Sequence, residues 1–201
     1  MMSQFDEYRT TKIPVAPIHD KKEKLIVIGK SGSGKDFMIR QMSKKGLLAG
    51  IKTTSRPQRK GEVQWETYEF VADWTFKEMI EKDDFIVRQD FLVTPVDRAP
   101  ETWYYGLTKK EFERAQAFIM TPAEFLMIDP ETRKGCFVVY LDIDRNIREQ
   151  RVLRRRDMND SIKRRMDADD EDFKEFNKSG DYDLRVTDED FNADDVWALM
   201  V

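Results

Sequence analysis

Gly29-Lys30-Ser31-Gly32-Ser33-Gly34-Lys35 fits the spacing G-x-x-x-x-G-K, and residues of these types at that spacing bind phosphate. Glycines let successive backbone N–H groups turn inward onto phosphate oxygens. A helix opening directly after the loop adds partial positive charge. Lys35 extends a cation toward the β- and γ-phosphates of a nucleotide, so Gly29 to Lys35 are the candidate ATP contacts and Lys35 the candidate catalytic cation. The next residue is Asp36, where such loops usually carry Ser or Thr for Mg²⁺. A carboxylate is a hard oxygen ligand, so Asp36 either helps hold Mg²⁺, directly or through water, or only favours the helix N-terminus.

Arg56 and Arg59 form a second constellation. Three apart on an extended segment, they can grip one phosphate from two sides with planar guanidinium forks. A third basic group runs from Arg145 to Arg165, and the chain turns acidic from Asp167 onward. That acidic stretch reads as a solvated helix face. The single histidine, His19, leaves no material for Ser-His-Asp triads or zinc sites. Phosphoryl transfer survives that filter, because it needs positioning and positive charge more than a general base.

The bulk composition agrees. In 201 residues, 37% are charged and 40% apolar, with no apolar run near the ~18–20 residues of a membrane span. The net charge of −4 weighs against a nucleic-acid substrate. One cysteine, Cys136, excludes an internal disulfide and fits a reducing cytoplasm.

The elements that must position these residues follow from apolar periodicity. Residues 1–20, polar with Pro14 and Pro17, read as a flexible leader. Lys24 to Ile28 is a buried parallel strand, and Asp36 to Lys44 the helix behind the loop. Further strands are expected at Ile51–Ser55, Tyr68–Val71, Phe85–Gln89, Ala117–Met120, Phe137–Leu141 and Leu184–Thr187. Helices are expected at Thr75–Lys82, Thr108–Arg114, Ile143–Arg155, Ser161–Phe176 and Phe191–Met200, and a loop at Thr94–Thr102. Strands alternating with helices give an α/β fold with a mainly parallel sheet.

From Lys24 to the C-terminus the chain resembles the guanylate kinase family. The resemblance is carried, in order, by the phosphate loop, Thr53-Thr54-Ser55-Arg56-Pro57-Gln58-Arg59-Lys60-Gly61-Glu62, Tyr68-Glu69-Phe70-Val71, the Phe76 to Ile80 helix, a turn at Tyr104-Tyr105-Gly106, the Arg-rich segment and Tyr182 to Glu189. It implies one domain over residues 21–201. A P-loop core (21–50 and 109–201) would bind ATP, a small lobe (51–108) a nucleoside monophosphate, and an Arg-rich helical lid (about 150–170) would close over both. It implies that Arg56, Arg59, Tyr68 and Tyr105 hold the acceptor phosphate. Arg151, Arg155 and Arg165 would neutralise the transferring phosphoryl group, with Mg²⁺ as cofactor.

The base pocket departs from the family. Lys52 stands where the family has a small hydroxyl residue, Val87 where it has glutamate, Leu107 in place of another hydroxyl, and Met120-Thr121-Pro122 in place of D-x-D. Asp90 and Asp97 are candidate replacements for the missing carboxylate. A site that hydrogen-bonds one base rejects others, so these changes point to an altered acceptor. Lys52 would donate to base carbonyls, and Val87 and Leu107 would face an apolar substituent. The expected activity is ATP-dependent phosphorylation of GMP, dGMP or another natural or modified (deoxy)nucleoside monophosphate. The alternatives are a related binding module without catalysis and a P-loop kinase of another small molecule or of a base within nucleic acid.

Overall fold

The computed structural model describes residues 22–59, 61–93, 99–154 and 162–200. The expected leader lies outside them. Along the chain run β1 (Lys24–Gly29), α1 (Lys35–Lys44), β2 (Thr53–Thr54), β3 (Glu69–Phe70), α2 (Asp73–Glu81), β4 (Phe85–Val93), β5 (Glu101–Thr108), α3 (Lys109–Arg114) and β6 (Ala117–Met120). They are followed by α4 (Pro122–Met127), α5 (Pro130–Lys134), β7 (Cys136–Leu141), α6 (Arg145–Arg154), α7 (Ile162–Asp172), α8 (Phe176–Ser179), β8 (Leu184–Val186) and α9 (Ala193–Met200).

The core sheet has the order β6-β1-β7-β8, and its pairings are parallel. Its central strands are apolar along their length because a parallel sheet is covered on both faces. Alternate residues divide between two cores. Leu25, Val27, Phe137 and Val139 meet Met38 and Met42 of α1 and Val196 of α9. Ile26, Ile28, Val138 and Tyr140 meet Phe118, Phe125, Phe173 and Phe176 on the other side. With its backbone fixed by two neighbours, β1 delivers Gly29 to the carboxyl end of the sheet, where α/β folds bind ligands.

A second sheet, ordered β3-β2-β5-β4, is built from strands lying between Thr53 and Thr108. Here one expectation is corrected. Trp103-Tyr104-Tyr105-Gly106 is strand, not turn: β5 pairs antiparallel with β4 from Val93↔Glu101 to Phe85↔Thr108. Aromatic residues favour pleated, cross-paired positions, and that preference outweighs the glycine. Gly106 fits because a Cβ there would lie 2.5 Å from the ring of Phe85. The Thr94–Thr102 loop is correspondingly shorter, and residues 94–98 lie outside the described set.

Helices α4 and α5 were not expected. Each opens on a capping residue followed by proline. Thr121 and Glu124 form a reciprocal capping box, and Asp129 accepts the N–H groups of Glu131 and Thr132. The Ser161–Phe176 helix is two pieces, α7 and α8. Among the described residues no helix is long and apolar enough to cross a membrane.

Candidate nucleotide site

The turn from β1 into α1 is held by glycines where nothing larger fits. Gly32 and Gly34 have φ of 78° and 102°. A Cβ at Gly32 would lie 2.5 Å from the carbonyl oxygen of Arg148. Gly34 is the N-cap of α1 and carries no side chain that could compete for its first N–H groups. Lys35 Nζ folds back to donate to Gly29 O at 2.6 Å and Lys30 O at 3.0 Å, bracing the loop from inside. Asp36 is exposed in the first turn of α1. A cleft of about 350 Å³ is lined by Ser31, Lys35 and Asp36 on the core side and by Lys52 and Tyr68 on the lobe side.

The acidic stretch is solvated only in part, which corrects the sequence reading: Asp167, Glu171 and Asp172 are exposed, but Asp169 and Asp170 turn onto the loop. Asp169 Oδ2 accepts the backbone N–H of Ser31 at 2.7 Å, and Asp170 Oδ1 pairs with Lys30 Nζ at 2.7 Å. Arg148, only 1% exposed, lies beneath the loop, donates to Ile143 O at 2.9 Å and pairs with Asp170 at 3.3 Å. Arg145 reaches both Asp167 and Asp170. The basic groups of α6 and the loop gather these carboxylates, because a buried guanidinium without an anion would carry a large desolvation penalty. Burial works against the charge of Asp170, but Lys30, Arg145 and Arg148 outweigh it and hold the carboxyl below its usual range. Arg151 donates to Gly32 O at 3.4 Å and Glu189 O at 2.8 Å, so it ties the loop to the β8–α9 connection.

In the lobe, Arg56 is 3% exposed and forks onto Glu62, with contacts of 3.0 Å and 2.7 Å. Burial opposes its charge, and the Glu62 carboxylate more than compensates. Its guanidinium also lies 5.5 Å from the ring centre of Tyr68. Tyr68 and Tyr105 meet edge to face with centroids 6.0 Å apart. Burial, then the neighbouring Tyr105, pushes the Tyr68 hydroxyl up to about 12. It therefore stays a neutral donor near pH 7. Burial likewise raises Tyr105, against the pull of Arg56. Arg59 is exposed, and its backbone N–H donates to Glu62 Oε2 at 2.7 Å. Arg56, Tyr68 and Tyr105 thus converge, with Glu62 as the residue that orients the arginine. Glu62 closes the quoted motif, but nothing in its spacing announced that contact.

The guanylate kinase family model matches residues 21–94, which span the loop, Arg56, Arg59, Glu62 and Tyr68. Over these residues the chain is similar to the guanylate kinase family. A guanylate kinase of Gloeobacter violaceus is 36% identical over 70 residues, 34% of this chain and 34% of that protein. The corresponding enzyme of Prochlorococcus marinus is 38% identical over 33% of this chain and 38% of its own length. These two matches thus span little more than a third of the relatives. A guanylate kinase of Nostoc is 26% identical over 84% of this chain and 83% of its own. In fold, the crystal structure of guanylate kinase from Anaplasma phagocytophilum matches with a TM-score of 0.58 at 13% identity, over 90% of this chain and 86% of that one.

The residues expected to form a base pocket are only partly brought to the cleft. Val87 and Leu107 face each other across β4 and β5, are 2% and 0% exposed, and pack into the core. Neither lines the cleft with Lys52, because the apolar contacts beneath the sheet claim both side chains. Asp90 is exposed on β4, and Asp97 lies outside the described residues. The carboxylate that meets Lys52 comes from elsewhere: Glu124, at 2.6 Å and 2.7 Å from Lys52 Nζ. Of the expected lid arginines, Arg155 lies outside the described residues and Arg165 is placed on α7 by its backbone alone.

Proposed function

We propose that this chain is an ATP-dependent nucleoside monophosphate kinase whose acceptor is GMP, dGMP or another natural or modified (deoxy)nucleoside monophosphate. The observation that carries the reading is the shared cleft: the loop residues Ser31, Lys35 and Asp36 face Lys52 and Tyr68 across about 350 Å³. A second cavity of about 500 Å³, lined by Gly34, Phe37, Arg151 and Phe191, lies on the other flank of the loop and has room for the rest of a donor nucleotide. In the reaction, an oxygen of the acceptor phosphate bonds to the γ-phosphorus of ATP, and the bond to the β–γ bridging oxygen breaks, releasing ADP. The acceptor oxygen is already anionic, so no general base is needed. Arg56, Arg59, Tyr68 and Tyr105 hold the acceptor phosphate. Lys35, the loop N–H groups and the arginines Arg151, Arg155 and Arg165 offset the charge that spreads over the transferring group.

The residues fit Mg²⁺. With nucleotide phosphates this ion uses one or two carboxylates and keeps several waters. Asp36, exposed beside the cleft, supplies one carboxylate; among the described residues no cluster of three or more metal-binding side chains competes for the role. When bound, Mg²⁺ neutralises β- and γ-phosphate charge. The single buried thiol of Cys136 suits a reducing, cytoplasmic setting.

A second reading, a binding module without catalysis, draws on Asp169 and Asp170, which hold a loop N–H and Lys30. A coupled assay of ADP release with ATP, Mg²⁺ and a panel of monophosphates tests the kinase reading. Turnover with at least one acceptor is expected. Nucleotide binding with no turnover for any acceptor supports the module instead. Asp36→Ala should raise the Mg²⁺ concentration for half-maximal rate; an unchanged requirement leaves Asp36 as a helix-start residue.

A further inference from the structure

The longest strand among the described residues lies on the edge of a sheet. β4 runs nine residues and ends the order β3-β2-β5-β4, so among the described residues it pairs with β5 alone. The opposite edge strand, β3, has two residues. A long open edge offers a row of unpaired N–H and C=O groups to any other strand, and proteins commonly keep such edges short or repel strangers with charge. β4 is irregular only at its start, between Phe85 and Val87. From Val87↔Leu107 to Val93↔Glu101 its register is even, and the strand is straight enough to template another. Its far end is apolar and open to water, with Phe91 47% and Leu92 76% exposed. Near its start, Ile86, Val87 and Arg88 line a cleft of about 180 Å³ beside Met127.

The strand is complementary to itself. Phe85-Ile86-Val87 and Phe91-Leu92-Val93 flank Arg88-Gln89-Asp90. Two copies paired antiparallel about a twofold axis at Gln89 would set Arg88 of each opposite Asp90 of the other, and Val87 opposite Phe91. Residues an even number apart share one face of a strand, so each pairing brings its two side chains to the same face. Arg88 and Asp90 are both exposed, and neither has an ion-pair partner among the described residues. Charges placed to keep a second copy away would meet their own sign; these meet the opposite one, twice per pair of chains. We infer that β4 is the interface of a twofold dimer, paired antiparallel with β4 of a second copy over residues 87–91. The contact joins two four-stranded sheets into one of eight strands. An isologous contact of this kind closes on itself and stops at two chains. It carries the exposed Phe91 of each copy to the cleft between Val87 and Met127 of the other. Phe91 also meets Tyr105 edge to face, with centroids 5.7 Å apart, so the interface adjoins the tyrosines of the acceptor lobe.

Sedimentation velocity of the full chain, from about 1 to 100 µM, tests this, because dimer population rises with protomer concentration. The wild type is expected to pass from monomer to dimer within that range. Arg88→Asp sets like charges opposite each other twice per dimer and should raise the dissociation constant at least about ten-fold, as should Asp90→Arg. The double variant Arg88→Asp/Asp90→Arg exchanges the two charges and should return the constant to within about three-fold of the wild type. Both positions are exposed, so melting temperatures of the monomers should stay close together and exclude misfolding as the cause. A wild type that stays monomeric throughout would leave the edge to a strand of another protein and overturn the inference. A dimer indifferent to both single reversals, or one that the double exchange fails to restore, would overturn it as well. None of these readouts depends on turnover, so the kinase reading stands or falls separately.

Discussion

Asp169 accepts the backbone N–H of Ser31 at 2.7 Å, and this contact seats the acidic helix α7 on the phosphate loop. Its neighbour Asp170 completes the seat by meeting Lys30, Arg145 and Arg148. The carboxylates therefore share the space toward which a triphosphate would bring its own negative charge. Asp169→Asn should tighten ATP binding by about five-fold, the effect of removing one anion near the surface at roughly 1 kcal/mol. Titration calorimetry reads this directly. Weaker binding would mean that the carboxylate organises the loop instead of competing for it.

Asp170→Ala leaves Arg148 buried without its nearest anion. Denaturant unfolding should show a loss of about 1–3 kcal/mol, below the full penalty of a broken buried pair because Asp170 is partly hydrated.

Gly32→Ala should damage the loop where Gly135→Ala does not. A Cβ at Gly32 would meet the backbone of Arg148 at 2.5 Å, at a φ of 78°. The expected loss is about 1–3 kcal/mol with weakened ATP binding. Gly135, with φ −78°, has only Thr132 O at 3.5 Å from such a Cβ. Its variant should lie within about 1 kcal/mol of the wild type in thermal melts.

The pairing of Arg56 with Glu62 should fail in acid. Burial raises the Glu62 carboxyl, but the Arg56 hydrogen bond, the Arg59 backbone N–H and both arginine charges outweigh it and lower it below its ordinary 4.5. A group lowered on folding stabilises the fold above its unfolded value, and that contribution is lost as pH falls through the folded one. Acceptor binding and stability should therefore hold above pH 4.5 and decline below it. Glu62→Gln should flatten that part of the profile; a variant with the same acid limb would assign the limb to other carboxylates.

Cys136 should be inert in the folded protein. It is 1% exposed, and burial pushes its thiol up to about 11. The thiolate is the reactive form, so an aromatic disulfide reagent at pH 8 should react only at the rate of unfolding. Rapid labelling under native conditions would contradict this.

The core was legible because its signals are local. Leu25 to Ile28 are uniformly apolar, and the glycines that follow turn the chain into α1. Strand and helix for the tyrosines around Gly106, for α4 and for α5 were misread or missed. Their cues were a cross-strand partner for Tyr105 at Gln89 and the capping pair Thr121 and Glu124, which needed to be weighed against single glycines and prolines. The proposed phosphate grip was half legible. Arg56 announces itself by spacing, but its orienter Glu62 and the closeness of Tyr68 to Tyr105 emerge only once β2, β3 and β5 pair. Glu124 could not be found from the motif, since it meets Lys52 across 72 residues of sequence. The acidic run from Asp167 looked like solvated charge because its partners, Lys30, Ser31 and Arg145, lie far from it along the chain.

The most direct test of the central claim follows the γ-phosphoryl group itself. Labelled ATP is incubated with Mg²⁺, the protein and the monophosphate panel, and the products are separated by ion-exchange chromatography. The expected result is equal amounts of ADP and a labelled nucleoside diphosphate, reduced at least about a thousand-fold in rate by Lys35→Ala, which removes the ammonium that braces the loop and that we propose meets the phosphates. Label that stays in ATP or appears only as free phosphate with every monophosphate would contradict the account.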